Sequence, residues 1–481
     1  MSIAKAISNA MTGLAATSRG TETVAGNLAN VMTPGYARRE MVTSVQLSGG
    51  VRIDGVARIV NASLLSESRL ASASMGDASV RAAFQKQMEG VIGLPGDSAA
   101  LSTALTSFQT ALGSAVARPD DEPRLAQVLN SATTLAAKLN TASQAVQAAR
   151  SAAQQAIATD VGVLNTSLER VAFLNTRIAV LVASGQDAAP LLDERQQAID
   201  RISSIVPVQE VTREAGKVAL FTSEGAVLLD GSLPATVGFQ GGDLVTAGQT
   251  VGAPLQMLTL NGDALSPGQM RLFAGGSLAG NFQIRDELAP QLQAELDAMA
   301  YDLHQRLADP AADATLGAGD PGLFTDQGGR AQAGAIVGLS GRLAVNAAVN
   351  PAEGGALWRI RGGLGSGATP DPVGRTETLN GLLAALDAAR PSHPGSGFDG
   401  NASIASRFGT VEARVVTRRV GAESDLASRS SRHSTINSSL MAGGVDSDAE
   451  MQRLLQYEQA FAANARVLNA INEMMNQILR I

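Results

Sequence analysis

The sequence predicts a mainly helical protein with a β-rich insert (α+β), and three observations support this fold class. Both ends of the 481-residue chain carry apolar residues at alternating spacings of three and four, the pattern of a helix that packs on another helix. Residues 124–184 are poor in glycine and free of proline, as in a long helix. Residues 208–275 alternate short runs of valine, threonine and leucine with glycine turns, which is typical of short β-strands.

The N-terminal helix is predicted to end just before Pro34, which cannot continue a helix, and Gly35, which favours a turn. Its apolar stripe provides the predicted contact positions Ile3, Ile7, Leu14, Val24, Leu28 and Val31. The same helix contains Gly13, Gly20 and Gly26, and each glycine costs about 1 kcal/mol relative to alanine in a helix interior. We therefore expect this helix to be stable only when a partner covers its stripe.

The C-terminal helix repeats the alternation almost to the last residue. Its predicted contact positions are Leu454, Tyr457, Phe461, Asn464, Leu468, Ile471, Met475 and Ile478. Two complementary stripes suggest that the chain ends meet, although they are also typical of ordinary terminal helices that close one globular domain. Asn464, and Asn175 in the long central helix, are polar positions within apolar stripes, where a buried amide fixes register at some cost in stability.

Between the ends, the sequence predicts a hairpin over residues 42–60 that turns at Gly49 and Gly50. The long helix would be a strut on the order of 90 Å, with Gly162 as its predicted break. A following helix contains Asp193, Glu194 and Arg195.

A further helix is predicted over residues 282–308, with Pro290 near its start or at a kink. Residues 311–435 are rich in glycine, serine and alanine and predict only short helical pieces, such as 377–389. We divide the chain into a terminal coiled-coil domain (1–33 plus 436–481), a long-helix bundle (34–206 plus 276–435) and a β-rich outer domain (207–275).

Composition argues against several functional classes. The formal charge of −7 disfavours a nucleic-acid partner, and no apolar run approaches the length of a membrane span. The absence of cysteine excludes disulfides and thiolate metal sites. The glycines at 317, 319 and 322 lack the flanking strand and helix of a dinucleotide site, and His304 is predicted to lie on a polar helix face. We therefore predict no catalytic, cofactor or metal site.

One motif at each end is recognisable. The segment Asn27-Leu28-Ala29-Asn30-Val31-Met32-Thr33-Pro34-Gly35-Tyr36 resembles the N-terminal signature of the axial proteins of the bacterial flagellum. Residues 444–467, from Gly-Val-Asp to Ala-Arg-Val, resemble the matching C-terminal end of that family. Segments in 119–205 and 275–300 are similar to its hook-associated members, which join the hook to the filament.

The resemblance implies that the terminal helices pair as the inner layer of a tube or ring of copies. It implies that the hook subunit and a second, filament-side hook-associated protein are neighbours, and that a chaperone covers the C-terminal helix before export. It further implies export by the flagellar type III pathway, without a cleaved signal peptide, to an extracellular position in the flagellum. Two alternatives remain: a hook or distal-rod subunit of the same family, and a secreted enzyme with a catalytic insert.

Overall fold

Long helices dominate the architecture, and small sheets are attached to them. The computed structural model describes residues 3–33, 35–47, 49–242, 244–252, 254–367, 370, 372–394 and 396–478. The helices are α1 (Ile3–Ala29), α2 (Ala62–Ile92), α3 (Leu101–Ala117), α4 (Glu122–Ala183), α5 (Ala189–Ile205), α6 (Gly276–Gln283), α7 (Ala289–Leu307), α8 (Arg359–Gly362), α9 (Glu377–Asp387), α10 (Ile404–Ala442) and α11 (Ser447–Ile478). The fold is therefore mainly α, as predicted.

The strands form small sheets in separate parts of the chain. They are β1 (Arg39–Val45), β2 (Val51–Arg58), β3 (Val208–Thr212), β4 (Val218–Thr222), β5 (Val227–Asp230), β6 (Leu233–Pro234), β7 (Val237–Gly238), β8 (Thr250–Val251), β9 (Pro254–Leu255), β10 (Thr259–Leu260), β11 (Asp263–Ala264), β12 (Phe324–Asp326), β13 (Leu343–Val345), β14 (Arg390–Pro391) and β15 (Asn401–Ala402). Strands β1 and β2 pair antiparallel as the predicted hairpin, with Val45 opposite Val51. Strands β3 to β6 form an antiparallel sheet in sequence order, inside the predicted β-rich insert.

Helix α4 is a continuous strut of 62 residues, about 93 Å long at 1.5 Å per residue. The predicted break at Gly162 is wrong. Gly162 lies on the exposed face, while Val161, Leu164 and Leu168 beside it are buried. The cost of one glycine, about 1 kcal/mol, is smaller than the gain from burying these side chains, so the helix runs through.

Two large apolar cores lie along this strut, and a small third cluster lies at its C-terminal end. The first contains side chains of its N-terminal half together with α3, α7, α9, the end of α2 and the start of α10. The second contains side chains of its C-terminal half together with α5, α6 and the sheet of β3, β4 and β5. Because one helix supplies a wall to both cores, α4 holds the bundle and the β-rich insert together.

Asn175 connects the strut to the insert. Its side-chain amide donates to the backbone oxygens of Val218 at 2.8 Å and Gly231 at 2.6 Å, and it accepts a bond from Arg195 at 2.9 Å. The residue is fully buried and its hydrogen-bonding groups are occupied. The buried amide therefore holds a sheet on a helix, which differs from the predicted position in a helix–helix seam.

The predicted helix at 282–308 begins earlier and contains a change of helix type. Helix α6 starts at Gly276, a π-helical turn follows at Ile284–Leu288, and α7 continues with Pro290 in its first turn. Proline is tolerated in the first turn of a helix because the N–H that it lacks would have no partner within the helix there. Pro290 therefore lies just after the π-turn, where the helix type changes.

Helix α10 corrects the expectation of only short helical pieces in 311–435. Its first half buries Ile404, Phe408, Val411 and Val415. Its second half contacts α2 through charged side chains, with Arg419 2.6 Å from Glu89 and an equivalent pair further along. A helix face made of arginine, serine and carboxylates has no apolar period to detect. The predicted domain boundary at 436 falls inside this helix.

His304 also differs from expectation, because it is completely buried. Its Nδ1 lies 2.8 Å from the backbone oxygen of Phe324, and its Nε2 accepts from the backbone N–H of Ala331 at 3.1 Å. The polar-face prediction is therefore wrong, since α7 faces strand β12 and the loop after it, and each offers one partner. Burial lowers the pKa of His304 below its usual value.

We predict that His304 makes the bundle sensitive to mild acid. Because the pKa of His304 is lower in the folded chain than in the unfolded chain, stability is complete above about pH 6.5 and falls as the pH drops toward the folded value. Because one proton is involved, the slope is at most about 1.4 kcal/mol per pH unit. Urea unfolding of the chain and of His304→Gln between pH 7.5 and 5.5 measures this, and the variant should have the shallower slope. Equal slopes would contradict the prediction.

Candidate assembly site at the paired terminal helices

Helices α1 and α11 pack against each other in opposite directions. Gly13 on α1 lies against the Asn464 side chain, and Gly20 lies against the Tyr457 ring. Because the residue number rises along α1 while it falls along α11, the pair is antiparallel. The two chain ends are therefore in contact within one molecule.

Two of the three glycines in α1 allow this close approach. A Cβ at Gly20 would lie 2.5 Å from the Tyr457 ring, and a Cβ at Gly13 would lie 2.7 Å from the Asn464 amide. At Gly26 nothing lies within 4 Å of such an atom. Gly13 and Gly20 weaken the isolated helix, but their missing side chains leave the space that two side chains of α11 occupy. Sequence periodicity alone could not reveal this.

The predicted contact positions divide into three groups by exposure. Val24 and Ile471 are buried. Half-buried positions are Ile7, Leu14, Leu28, Leu454, Tyr457, Asn464 and Leu468. Exposed positions are Ile3, Val31, Phe461, Met475 and Ile478. A straight helix drifts from a 3.5-residue repeat, so small residues that we did not include, such as Ala16, take buried places in α1. Whether the exposed members contact other copies stays a prediction.

Asn27, in the recognisable N-terminal motif, is completely buried where the two helices and the hairpin meet. Its amide donates to the Glu450 carboxylate at 3.0 Å and to the backbone oxygen of Arg39 at 2.8 Å. Its side-chain oxygen accepts from the Tyr36 hydroxyl and from the backbone N–H of Arg39, both at 2.9 Å. One side chain therefore ties α1 to α11 and to the first residue of β1.

Glu450 is the acidic partner, and it is only 1% exposed. Besides Asn27, its carboxylate accepts from Arg38 at 2.9 Å and from Arg453 at 3.0 Å. A buried charge needs such partners to be tolerated. The sequence shows Glu450 only as part of the C-terminal motif, and its pairing with a residue 423 positions away could not be deduced from spacing.

The other motif residues form the end of α1 and the turn that follows it. The Asn30 amide donates to the backbone oxygen of Gly26 at 2.9 Å, and the Thr33 hydroxyl donates to Asn30 at 3.2 Å. Gly35 has a φ of +76°, and a Cβ there would lie 2.7 Å from the Gln197 side chain. Leu28 is half-buried and Ala29 is exposed. Pro34 lies outside the described residues.

Asp193 on α5 joins this region to the bundle. Its carboxylate lies 3.1 Å from the Arg39 guanidinium and 2.6 Å from that of Arg58, and it accepts from the backbone N–H of Ala37 at 3.3 Å. The sequence analysis placed Asp193 on a helix without a role.

We use the name terminal unit for α1, β1, β2 and α11, residues 3–59 and 447–478. Among the described residues, none of the buried apolar clusters includes a side chain of the terminal unit. About half of the exposed large hydrophobic residues in the described ranges belong to it, although it forms about a fifth of the chain. Phe461 is 47% exposed and Leu47, at the hairpin tip, is fully exposed. Such a surface is typical of a subunit seen without its neighbours.

Family profiles match the chain at both ends and in the middle. The profile described as Flagella basal body rod protein matches residues 7–36, and Flagellar basal body rod FlgEFG protein C-terminal matches 438–481. Flagellar hook-associated protein FlgK helical domain matches residues 85–322. Together these profiles make about two thirds of the chain similar to flagellar rod and hook-associated proteins. The two rod profiles cover the two helices that pair, and the helical-domain profile covers the strut.

Named members of the hook-associated protein 1 family are distant in sequence. The Bacillus subtilis protein is 23% identical over 98% of this chain and 97% of its own length. The Salmonella typhimurium protein is 27% identical over 47% of this chain, and the alignment spans only 42% of that longer protein. A solved structure of the flagellar hook junction protein FlgK from Burkholderia pseudomallei has a TM-score of 0.44 at 23% identity, covering 54% of this chain and 46% of that one, too low a likeness to compare details.

No cluster of three or more histidine, aspartate or glutamate side chains that could hold a metal ion occurs among the described residues. Within the same ranges, no helix combines the length and apolarity needed to cross a bilayer.

We predict that Asn27→Ala loosens the terminal unit while the bundle stays folded. The substitution removes the donor to Glu450 and the acceptor for Tyr36 and Arg39, which should cost about 2–4 kcal/mol. Amide hydrogen exchange of α1 and α11 measures the loss, with α4 amides as an internal reference. Asn30→Ala is the matched control, and it should cost less than about 1 kcal/mol. Equal effects of the two variants would contradict the role of Asn27.

Proposed function

We propose that this chain is a structural subunit of the bacterial flagellum that forms the junction between hook and filament. The observation that carries the proposal is that the two regions matched by flagellar rod profiles are the helices that pair, and that this pair presents an exposed apolar surface. The chain has no catalytic role in this proposal. Its function is to supply one repeating contact surface and a rigid outer body.

Assembly would bury the exposed side chains of the terminal unit against neighbouring copies. Phe461, Leu455 and Val467 on α11 are each about half exposed, and burial of such a side chain stabilises by about 1.5–3 kcal/mol. A head-to-tail contact between unlike surfaces produces a ring when it closes and a tube when it does not. The exposed predicted positions Ile3, Val31, Met475 and Ile478 would belong to these contacts.

The apolar cores suggest a different place in the assembly for each part of the chain. In this proposal, the terminal unit forms the inner layer of the ring, and the bundle around α4 forms the middle layer. The sheet of β3 to β6, which Asn175 holds on the C-terminal half of the strut, forms the outer part in this proposal. The inner domain would begin after α10, because the turn between α10 and α11 separates the bundle from the terminal pair.

The neighbours in the assembly follow from this position. We propose contacts with the hook subunit on one side and with a second hook-associated protein on the filament side. Before assembly, an export chaperone would cover α11, because an exposed apolar helix would promote aggregation in the cytoplasm. Export would follow the type III route of the flagellum, to a final position outside the cell.

A rod or hook subunit is the second candidate, because both terminal profiles carry rod descriptions. The match of residues 85–322 to the hook-associated helical domain favours the junction. Deletion of residues Leu454–Ile481 separates the candidates in cells examined by electron microscopy. Bare hooks, with filament protein lost to the medium, support the junction. Missing hooks support a rod or hook role, and normal filaments contradict both.

We predict that Phe461→Ser prevents assembly without unfolding the subunit. Phe461 is 47% exposed in the single chain, so replacing it should change the melting temperature little. In the assembly, the same substitution would remove the free energy gained by burying its side chain against a neighbouring copy. Phe173→Ser is the matched control, because Phe173 is 51% exposed on α4 of the bundle. Thermal melting and motility with both variants measure the difference. Full motility of Phe461→Ser would contradict an interface at this position.

A further inference from the structure

Three residue pairs across α1 and α11 share one spacing. Gly13 faces Asn464, Gly20 faces Tyr457, and Asn27 bonds to Glu450. Along each helix the members are seven residues apart, which is two turns of a helix in a coiled coil. The three pairs therefore form equivalent layers of one antiparallel interface.

The first two layers are matched in shape. Tyr457 and Asn464 are half-buried side chains that enter gaps left by glycine, and any Cβ at these gaps would overlap them. The third layer is matched in hydrogen bonding and charge, because the buried Glu450 carboxylate receives donors from Asn27, Arg38 and Arg453.

Shape alone does not exclude a shift of the two helices by seven residues. In one shifted arrangement Tyr457 would meet Gly13, which again offers a gap, while Glu450 would face Gly20. In the opposite shift Asn464 would meet Gly20, while Tyr457 would meet Asn27. Each shift thus preserves one glycine contact, but both separate the Glu450 carboxylate from Asn27.

We propose that Tyr457 and Asn464 set the close approach of α11 to α1, and that the Asn27–Glu450 pair selects the register. The shape-matched layers admit a small number of registers, and the buried polar layer is satisfied in only one of them. A buried polar pair specifies register in helix pairs at a cost in stability. The proposal deepens the proposed function, because the register determines which side chains the terminal unit presents to neighbouring copies.

The natural absence of cysteine allows the register to be read directly. At the observed register Thr17 falls opposite Ala460, and after a seven-residue shift Ala10 falls opposite Ala460. Chains with cysteines at 17 and 460, or at 10 and 460, would report the native and the shifted register by disulfide formation, which requires Cα atoms within about 7 Å. The measurement uses the full chain as a monomer, so its result does not depend on whether the chain assembles into a flagellum.

The decisive variant is Glu450→Leu, with Glu450→Gln as its matched control. Leucine removes the polar layer and fits a glycine gap, so the disulfide between positions 10 and 460 should rise about tenfold, equivalent to about 1.4 kcal/mol. Glutamine keeps an oxygen that accepts from Asn27, so the native disulfide should continue to dominate. An unchanged yield with Glu450→Leu, or an equal rise with both variants, would overturn the register assignment.

The shape-matched layers have their own test. Gly20→Ala should raise the rate of amide exchange in α1 by about tenfold or more, and Gly20→Ala combined with Tyr457→Ala should reverse most of this rise. Gly26→Ala is the control in the same helix, where a methyl group meets open space. If Gly20→Ala and Gly26→Ala have the same effect, or if Tyr457→Ala fails to compensate, the role of Tyr457 is refuted.

Discussion

The terminal unit depends on one buried hydrogen bond, between the Asn27 amide and the Glu450 carboxylate. The remaining hydrogen-bonding groups of the Asn27 side chain bond to Tyr36 and Arg39. Helix α1, the segment after it and the first strand of the hairpin therefore share one polar centre. A buried carboxylate with too few donors would be strongly unfavourable. The position of α11 on α1 and the start of the hairpin are therefore coupled, and neither arrangement is satisfied without the other.

The terminal unit and the bundle are joined differently from the parts within the bundle. The bundle and the β-rich insert share the apolar wall of α4, whereas the terminal unit is connected through Asp193 and its two arginines. The second half of α10 likewise contacts α2 through arginine and carboxylate pairs. Asp193 is buried and its two arginines are mostly covered, so removing one partner would leave a poorly compensated charge. The joint between the terminal unit and the bundle is therefore polar, whereas the joint between the bundle and the insert is apolar.

The sequence predicted those elements whose signal is local. The terminal stripes, the hairpin at Gly49 and Gly50, and the long helix are visible because a helix or strand repeats its apolar pattern within a few residues. The second half of α10 was missed because its partner face is charged, as at Arg419. The burial of His304 was missed because its partners, Phe324 in β12 and Ala331 in the loop after it, lie later in the chain.

The candidate site also combines features with a local sequence signal and features that depend on distant partners. Tyr36 and Asn27 were identified through a recognisable motif, but the reason for their presence is a contact with Glu450 at the far end of the chain. Gly13 and Gly20 appeared as weaknesses of an isolated helix, and only the partner side chains explain them. Properties that depend on which segments meet require the fold, because spacing within one segment carries no information about the other.

The order of folding follows from the distance between these partners along the chain. Asn27 and Glu450 are 423 residues apart, so closing that loop directly is entropically costly. When α10 lies antiparallel on α2, with Arg429 near Ser74, the end of α10 lies beside the start of α2. The remaining connections are then short, and the cost of closure falls by about 2 kcal/mol, since each doubling of loop length adds about 0.6 kcal/mol. We therefore expect the bundle to form first and bring the ends together, and the paired helices to form last.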